Sequence, residues 1–178
     1  TRRMLIPDPI WKRRVVREPW VGGDTAQMAI GQGFVDVTPL QMACFAASVA
    51  RNEVWTQPTI LHDPNRPRQR HEPIGLTVAQ RAALLQGLEQ VTQRPHGTAR
   101  IFQDPRLLAP LPGLRIAAKT GTAQKQDPKG MINFAWLIAF APVENPQIAL
   151  AVAIEGDTPG EETGGGRYAS PVAHAILK

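Results

Sequence analysis

The second half of the chain carries three apolar runs. The first, 116–118, is short and passes straight into Lys119-Thr120-Gly121-Thr122. The other two, 134–141 and 148–154, are nearly continuous. Runs of this length predict strands. Two of them joined by the short proline-bounded loop 142–146 predict a central antiparallel pair covered on both faces. A polar turn over 125–130 is predicted between the first and second strands.

The first half shows helical spacing instead. Thr38-Pro39-Leu40-Gln41 combines a capping threonine, a proline at the first helical position and a glutamine that closes a capping box. It predicts a helix over 38–51 with Leu40, Ala43, Ala47 and Ala50 on its buried stripe and Cys44 in the core. Thr77-Val78-Ala79-Gln80 repeats the signal and predicts a helix whose face of Val78, Ala82, Leu85, Leu88 and Val91 is buried. Asp24 and Gln27 predict a short helix from residue 24 to the glycines at 31 and 33. Ser170-Pro171 predicts a last helix over 172–177. Residues 1–23, broken by Pro7, Pro9 and Pro19, read as an extended lead-in anchored by Trp11 and Trp20. A strand with Pro58 at its edge is predicted over 54–60. The proline-rich stretches 62–73 and 105–113 read as surface connections. Neither an internal repeat nor a low-complexity segment is visible.

With 178 residues and 43% hydrophobic content, the chain can form one domain or part of a larger one. The net charge of +5 is concentrated at the start, where Arg2, Arg3, Lys12, Arg13, Arg14 and Arg17 occur, and again at Arg66, Arg68 and Arg70. These runs read as solvated loops, since no aromatic stripe or zinc pattern accompanies them, and no nucleic-acid partner is expected. The alternative is an anionic-polymer binding module. A single cysteine excludes an internal disulfide. His62, His71, His96 and His174 are scattered without ligand spacing, so neither a metal nor a cofactor is expected. No run is long enough for a membrane helix.

The candidate chemistry lies at Lys119 to Thr122. A glycine within a strand often marks close approach of a ligand or another backbone. The lysine adds charge, Thr120 and Thr122 add directional hydrogen bonds, and Gly121 adds room. The pattern suits an anionic, extended ligand laid beside the strand.

Lys119-Thr120-Gly121 also matches the third signature of penicillin-binding proteins and class A β-lactamases. Around it stand Gly22-Gly23-Asp24-Thr25, Ile30-Gly31-Gln32-Gly33, Thr38-Pro39-Leu40-Gln41-Met42-Ala43, Gly97-Thr98-Ala99, Thr122-Ala123-Gln124, Ala135-Trp136-Leu137-Ile138-Ala139-Phe140-Ala141-Pro142 and Gly164-Gly165-Gly166 before Ala169-Ser170-Pro171. In this order they resemble the transpeptidase domain of class B penicillin-binding proteins over nearly the whole chain. Leu5-Ile6-Pro7-Asp8, Glu18-Pro19-Trp20 and Ile30-Gly31-Gln32-Gly33 resemble the elongation-type, penicillin-binding protein 2-like subgroup.

The family also carries Ser-x-x-Lys, with the nucleophile, and Ser-x-Asn. This chain has two serines, Ser48 and Ser170, and neither begins such a motif. Residues 1–178 therefore resemble the C-terminal part of a transpeptidase domain, lying after both motifs. The resemblance implies a mixed α/β (α+β) fold of the serine β-lactamase/DD-peptidase kind, a largely antiparallel sheet flanked by helices, incomplete in this chain. It implies D-Ala-D-Ala transpeptidation by serine acyl transfer in the full-length protein, with the isolated chain inactive. Lys119 and Thr122 are implied as catalytic, the Thr122 N–H as an oxyanion donor, and Lys119, Thr120, Gly121 and Thr122 as substrate-binding. Implied partners are peptidoglycan stem peptides, β-lactams, the upstream part of the same domain and cell-elongation membrane proteins, on the outer face of the bacterial cytoplasmic membrane. Within the fold, a β-lactamase and a non-catalytic penicillin sensor or scaffold remain as alternatives.

Overall fold

A computed structural model describes residues 4–54, 56–60, 71–104, 111, 113–128 and 130–178. Four helices come first: α1 (Pro9–Val15), α2 (Gly22–Ala29), α3 (Pro39–Arg51) and α4 (Val78–Gln93). A 3-10 turn, Arg100–Gln103, leads towards three strands among the described residues, β1 (Ala117–Asp127), β2 (Gly130–Ala141) and β3 (Ile148–Glu155), followed by α5 (Gly165–Leu177). The strands form one antiparallel sheet in the order β1-β2-β3. Thr120 lies opposite Leu137, Gly121 opposite Trp136 and Thr122 opposite Ala135.

Both faces of the sheet are covered. On one, α5 brings Ala169 and Ala173 against Ala118, Ala135, Leu137, Ala139, Leu150 and Val152. On the other, Val49 and Ala50 of α3 and Leu85 and Leu88 of α4 pack on Ala117 and Phe140. Alanine dominates the first cluster, so the α5 backbone rides close to the strands. The expected sheet with helices on both faces is therefore present; β2 and β3 form the expected antiparallel pair, but among the described residues only β2 is central and β3 lies at the edge opposite β1.

Capping chemistry explains the helices that the sequence signals locate well. In α3, Thr38 accepts from the Gln41 N–H at 3.3 Å and Gln41 accepts from the Thr38 N–H at 2.9 Å. Thr77 and Gln80 do the same for α4. Arg81 of α4 then donates to the carbonyls of Val49 and Ala50, both at 3.0 Å, satisfying the end of α3.

Other expectations need correction. The lead-in is not wholly extended: Asp8 accepts from the Trp11 N–H at 2.6 Å, and Pro9 starts α1 instead of breaking it. Helix α2 begins two residues early, with Asp24 at its third position accepting from the Val21 N–H at 2.8 Å. Its carboxylate also takes the buried Lys12 ammonium at 2.8 and 3.0 Å, tying α2 to α1. The buried stripe of α3 is Ala46, Ser48, Val49 and Ala50, while Leu40 is exposed and Cys44 only half-buried. In α4, Val78 and Ala82 are exposed and only the later turns reach the core. No strand forms among the described residues of 54–60. The connection 62–73 lies largely, and 105–113 mostly, outside the described residues.

The polar stretch 125–130 is mostly strand, because β1 and β2 continue pairing as far as Asp127 and Gly130. Helix α5 starts at Gly165, not beside Ser170, and carries Pro171 in its interior. Burial of Ala169, Ser170 and Ala173 on the sheet outweighs the hydrogen bond that proline forfeits.

Candidate active site

Among the described residues β1 is an edge strand, so its outer side presents backbone groups that β2 does not use. Strand alternation sends successive side chains to opposite faces. Ala117 packs on α3 and α4, so Lys119 and Gly121 share that face, while Ala118, Thr120 and Thr122 turn towards α5. Lys119 is exposed, and its ammonium curls over the edge to donate to the Thr120 carbonyl. Thr122 is exposed as well.

Thr120 differs from the other two. It is buried, and its hydroxyl donates to the Thr98 hydroxyl at 2.7 Å. Thr98 is itself exposed, so the surface hydroxyl here belongs to Thr98. Gly121 is half-exposed, and a Cβ there would meet only the Trp136 Cβ, at an ordinary 3.7 Å. Among the described residues, then, no close neighbour demands glycine on that side.

The tight approach comes from the opposite face. A Cβ on Gly165 would collide with the Trp136 carbonyl oxygen and sit 2.7 Å from the Gly121 oxygen. One on Gly166 would collide with the Thr98 carbonyl oxygen. The first turn of α5 therefore rests directly on the backbone of the Gly121–Trp136 pair and of Thr98. Gly165 and Gly166 lack side chains so that this contact can form, whereas a Cβ on Gly164 would meet nothing within 4 Å.

Further contacts fix the entry and exit of β1. Thr92 is buried in α4 and donates to the Ile116 carbonyl at 2.8 Å. Arg115 pairs with Glu89 of α4, at 2.6 Å through one nitrogen, and with Glu144 in the loop between β2 and β3. The Arg115 guanidinium holds the Glu89 carboxyl below the usual carboxylate range. Beyond Thr122, Gln124 donates to the Asn133 side chain at 3.2 Å, and Asn133 donates to the Glu161 carbonyl at 2.6 Å.

Two residues at the edge were legible only as parts of sequence blocks. Thr98 stood within Gly97-Thr98-Ala99, one of the blocks of the resemblance. Gln32 stood between Gly31 and Gly33, yet its side-chain amide donates to the Thr122 carbonyl at 2.7 Å across 90 positions of sequence. A polar side chain framed by glycines was the available signal for Gln32. Neither serine adds a free nucleophile: Ser48 is buried and donates to the Thr56 hydroxyl at 3.0 Å, and Ser170 is buried against the Gly165 carbonyl.

Comparisons with known proteins agree with this architecture. Residues 8–178 match the penicillin-binding protein transpeptidase domain. The chain is 30% identical over 179 residues to the peptidoglycan D,D-transpeptidase MrdA of Escherichia coli K12, covering 89% of this chain and 27% of that protein. It is 32% identical over 152 residues to the peptidoglycan D,D-transpeptidase PbpA of Mycobacterium tuberculosis H37Rv, covering 84% of this chain and 30% of that protein. Among solved structures it resembles Pseudomonas aeruginosa PBP2 in complex with WCK 5153. There the TM-score is 0.75 at 32% identity, over 98% of this chain and 37% of that one. The chain thus spans less than a third of the length of these curated relatives.

Proposed function

Because this chain belongs to the penicillin-binding protein transpeptidase family, we propose that the polypeptide carrying it crosslinks peptidoglycan by D,D-transpeptidation, and that residues 1–178 supply its substrate edge. The observation that carries this reading is the open β1 edge. It presents Lys119 and Thr122 outward on a strand held from behind by the first turn of α5.

The chemistry follows serine acyl transfer. A serine hydroxyl from the upstream part of the domain attacks the carbonyl carbon of the penultimate D-alanine. The amide bond to the terminal D-alanine breaks, that residue leaves with its nitrogen protonated, and an acyl-enzyme remains. An amine from a second stem peptide then attacks the ester and regenerates the serine. In this reading the Thr122 N–H is one oxyanion donor. Lys119 adds positive potential for the substrate's terminal carboxylate, and the Thr122 hydroxyl binds it. Thr120 belongs to the same subsite from its buried position, with Thr98 as the hydroxyl it supports. Gly121 lets an extended peptide lie against the strand. β-Lactams enter the same site and leave a slow acyl-enzyme.

A membrane-held polypeptide on the outer face of the cytoplasmic membrane, working with cell-elongation membrane proteins, completes the proposal. A solved complex between PBP2 and MreC of Helicobacter pylori, 28% identical to this chain with a TM-score of 0.69, supports that partner class.

Intact mass after incubation with benzylpenicillin tests the reading. The full-length polypeptide should gain one penicillin mass, and Lys119→Ala should slow that gain about a hundredfold, the range seen when a transition-state charge stabiliser is lost. A full-length wild-type protein that stays unmodified would sink the proposal.

A further inference from the structure

Helix α2 ends in a way that aims one side chain. The Gly31 N–H donates to the Met28 carbonyl at 3.0 Å and the Gln32 N–H to the Gln27 carbonyl at 2.9 Å, the paired bonds of a Schellman ending. Gly31 takes the left-handed conformation this ending needs (φ 74°), and Gly33 on the other side also has positive φ (72°). The glycines thus hold Gln32 on a fixed turn. From there its amide reaches the Thr122 carbonyl at 2.7 Å.

That contact bears on the edge chemistry. In an extended strand the N–H and C=O of one residue point to the same side. A Thr122 carbonyl that meets Gln32 is therefore turned away from β2, and the Thr122 N–H is turned with it towards the open edge. A peptide added antiparallel to this edge would give its own N–H to the Thr122 carbonyl and accept from the Thr122 N–H. The carbonyl has two lone pairs, so Gln32 can hold one while a ligand uses the other.

The geometry points to Gln32 as a positioning residue that sets specificity: its amide holds the Thr122 carbonyl ready for ligands that donate an N–H beside their reactive acyl group. This rests on the transpeptidase reading above and assigns a residue that reading does not use. Gln32 acts through the Thr122 peptide groups and takes no part in bond making.

The test compares two acylating probes on the full-length polypeptide. Benzylpenicillin carries an acylamino N–H next to its lactam ring. Imipenem carries a hydroxyethyl group there instead. Gln32→Leu removes the donor, and Gln32→Glu replaces it with an acceptor of the same length. Both variants should lower the second-order acylation constant for benzylpenicillin about tenfold, the scale of one neutral hydrogen bond, and that for imipenem less than about threefold. Equal losses with the two probes would reduce Gln32 to a general structural role, and unchanged constants would remove it altogether. Either result overturns the inference while leaving the transpeptidase reading intact. If the wild-type protein reacts with neither probe, the transpeptidase reading itself fails.

Discussion

Gly165 shows how much a single position can decide. In an ordinary exposed helix, replacing glycine by alanine stabilises by up to about 1 kcal/mol. Here the added methyl would press on the Trp136 and Gly121 oxygens, which belong to paired strands that cannot retreat independently. Gly165→Ala is therefore expected to destabilise by about 3 kcal/mol, as overpacking does, and a denaturant titration checks both sign and size. Thr98 is a second case. Thr98→Val keeps the shape but takes the acceptor from the buried Thr120 hydroxyl, with an expected cost of about 1–2 kcal/mol. The same titration reads it, and a Thr98→Ser control should recover most of the loss. That Lys119 and Thr122 lie on a strand was legible in the sequence, and both are exposed there. The burial of Thr120 was not legible, because it depends on Thr98, 22 positions earlier in the chain.

At the scale of elements, local chemistry was legible wherever a side chain satisfies its own helix. The boxes at Thr38 and Thr77 marked the starts of α3 and α4 correctly. Thr38→Ala should cost about 1 kcal/mol, visible as a lower midpoint in thermal melts followed by circular dichroism. The misjudged boundaries belong to elements whose ends are set by distant partners. β1 runs through the polar Gln124–Asp127 because each residue there pairs with one on β2. α5 absorbs Pro171 because the sheet holds its buried face. The junction of α1 and α2 also depends on a pair remote in sequence. Lys12 holds the Asp24 carboxyl below its ordinary value of 3.8. A carboxyl depressed in the folded state adds stability above its unfolded value, and that stability is lost as pH falls through the folded value. The protein should therefore lose stability progressively below pH about 3.8, and Asp24→Asn should remove that part of the acid dependence. Chemical denaturation at a series of pH values between neutrality and strong acid would show whether the two curves converge at low pH.

Across the whole molecule, the described surface carries large apolar side chains in full view: Val78 is 89% exposed, Ile10 77% and Ile30 72%. A soluble domain seldom leaves so many uncovered. The 178-residue polypeptide by itself should accordingly bind the dye ANS, and the full-length polypeptide proposed above should bind markedly less. Equal dye fluorescence per mole would show that these side chains are not covered by further chain. The sequence by itself determined the fold class, the two best-capped helices, the apolar strands and the family. These rest on short-range patterns that survive in one dimension: periodicity, capping pairs and ordered motifs. Tertiary structure alone decided that β1 is an edge among the described residues, that Gly165 lies against Gly121 and Trp136, and that Thr120 answers to Thr98 and Thr122 to Gln32. Each is a contact between segments far apart in the chain, and no local propensity encodes which distant backbone atom a side chain will meet once the sheet has formed.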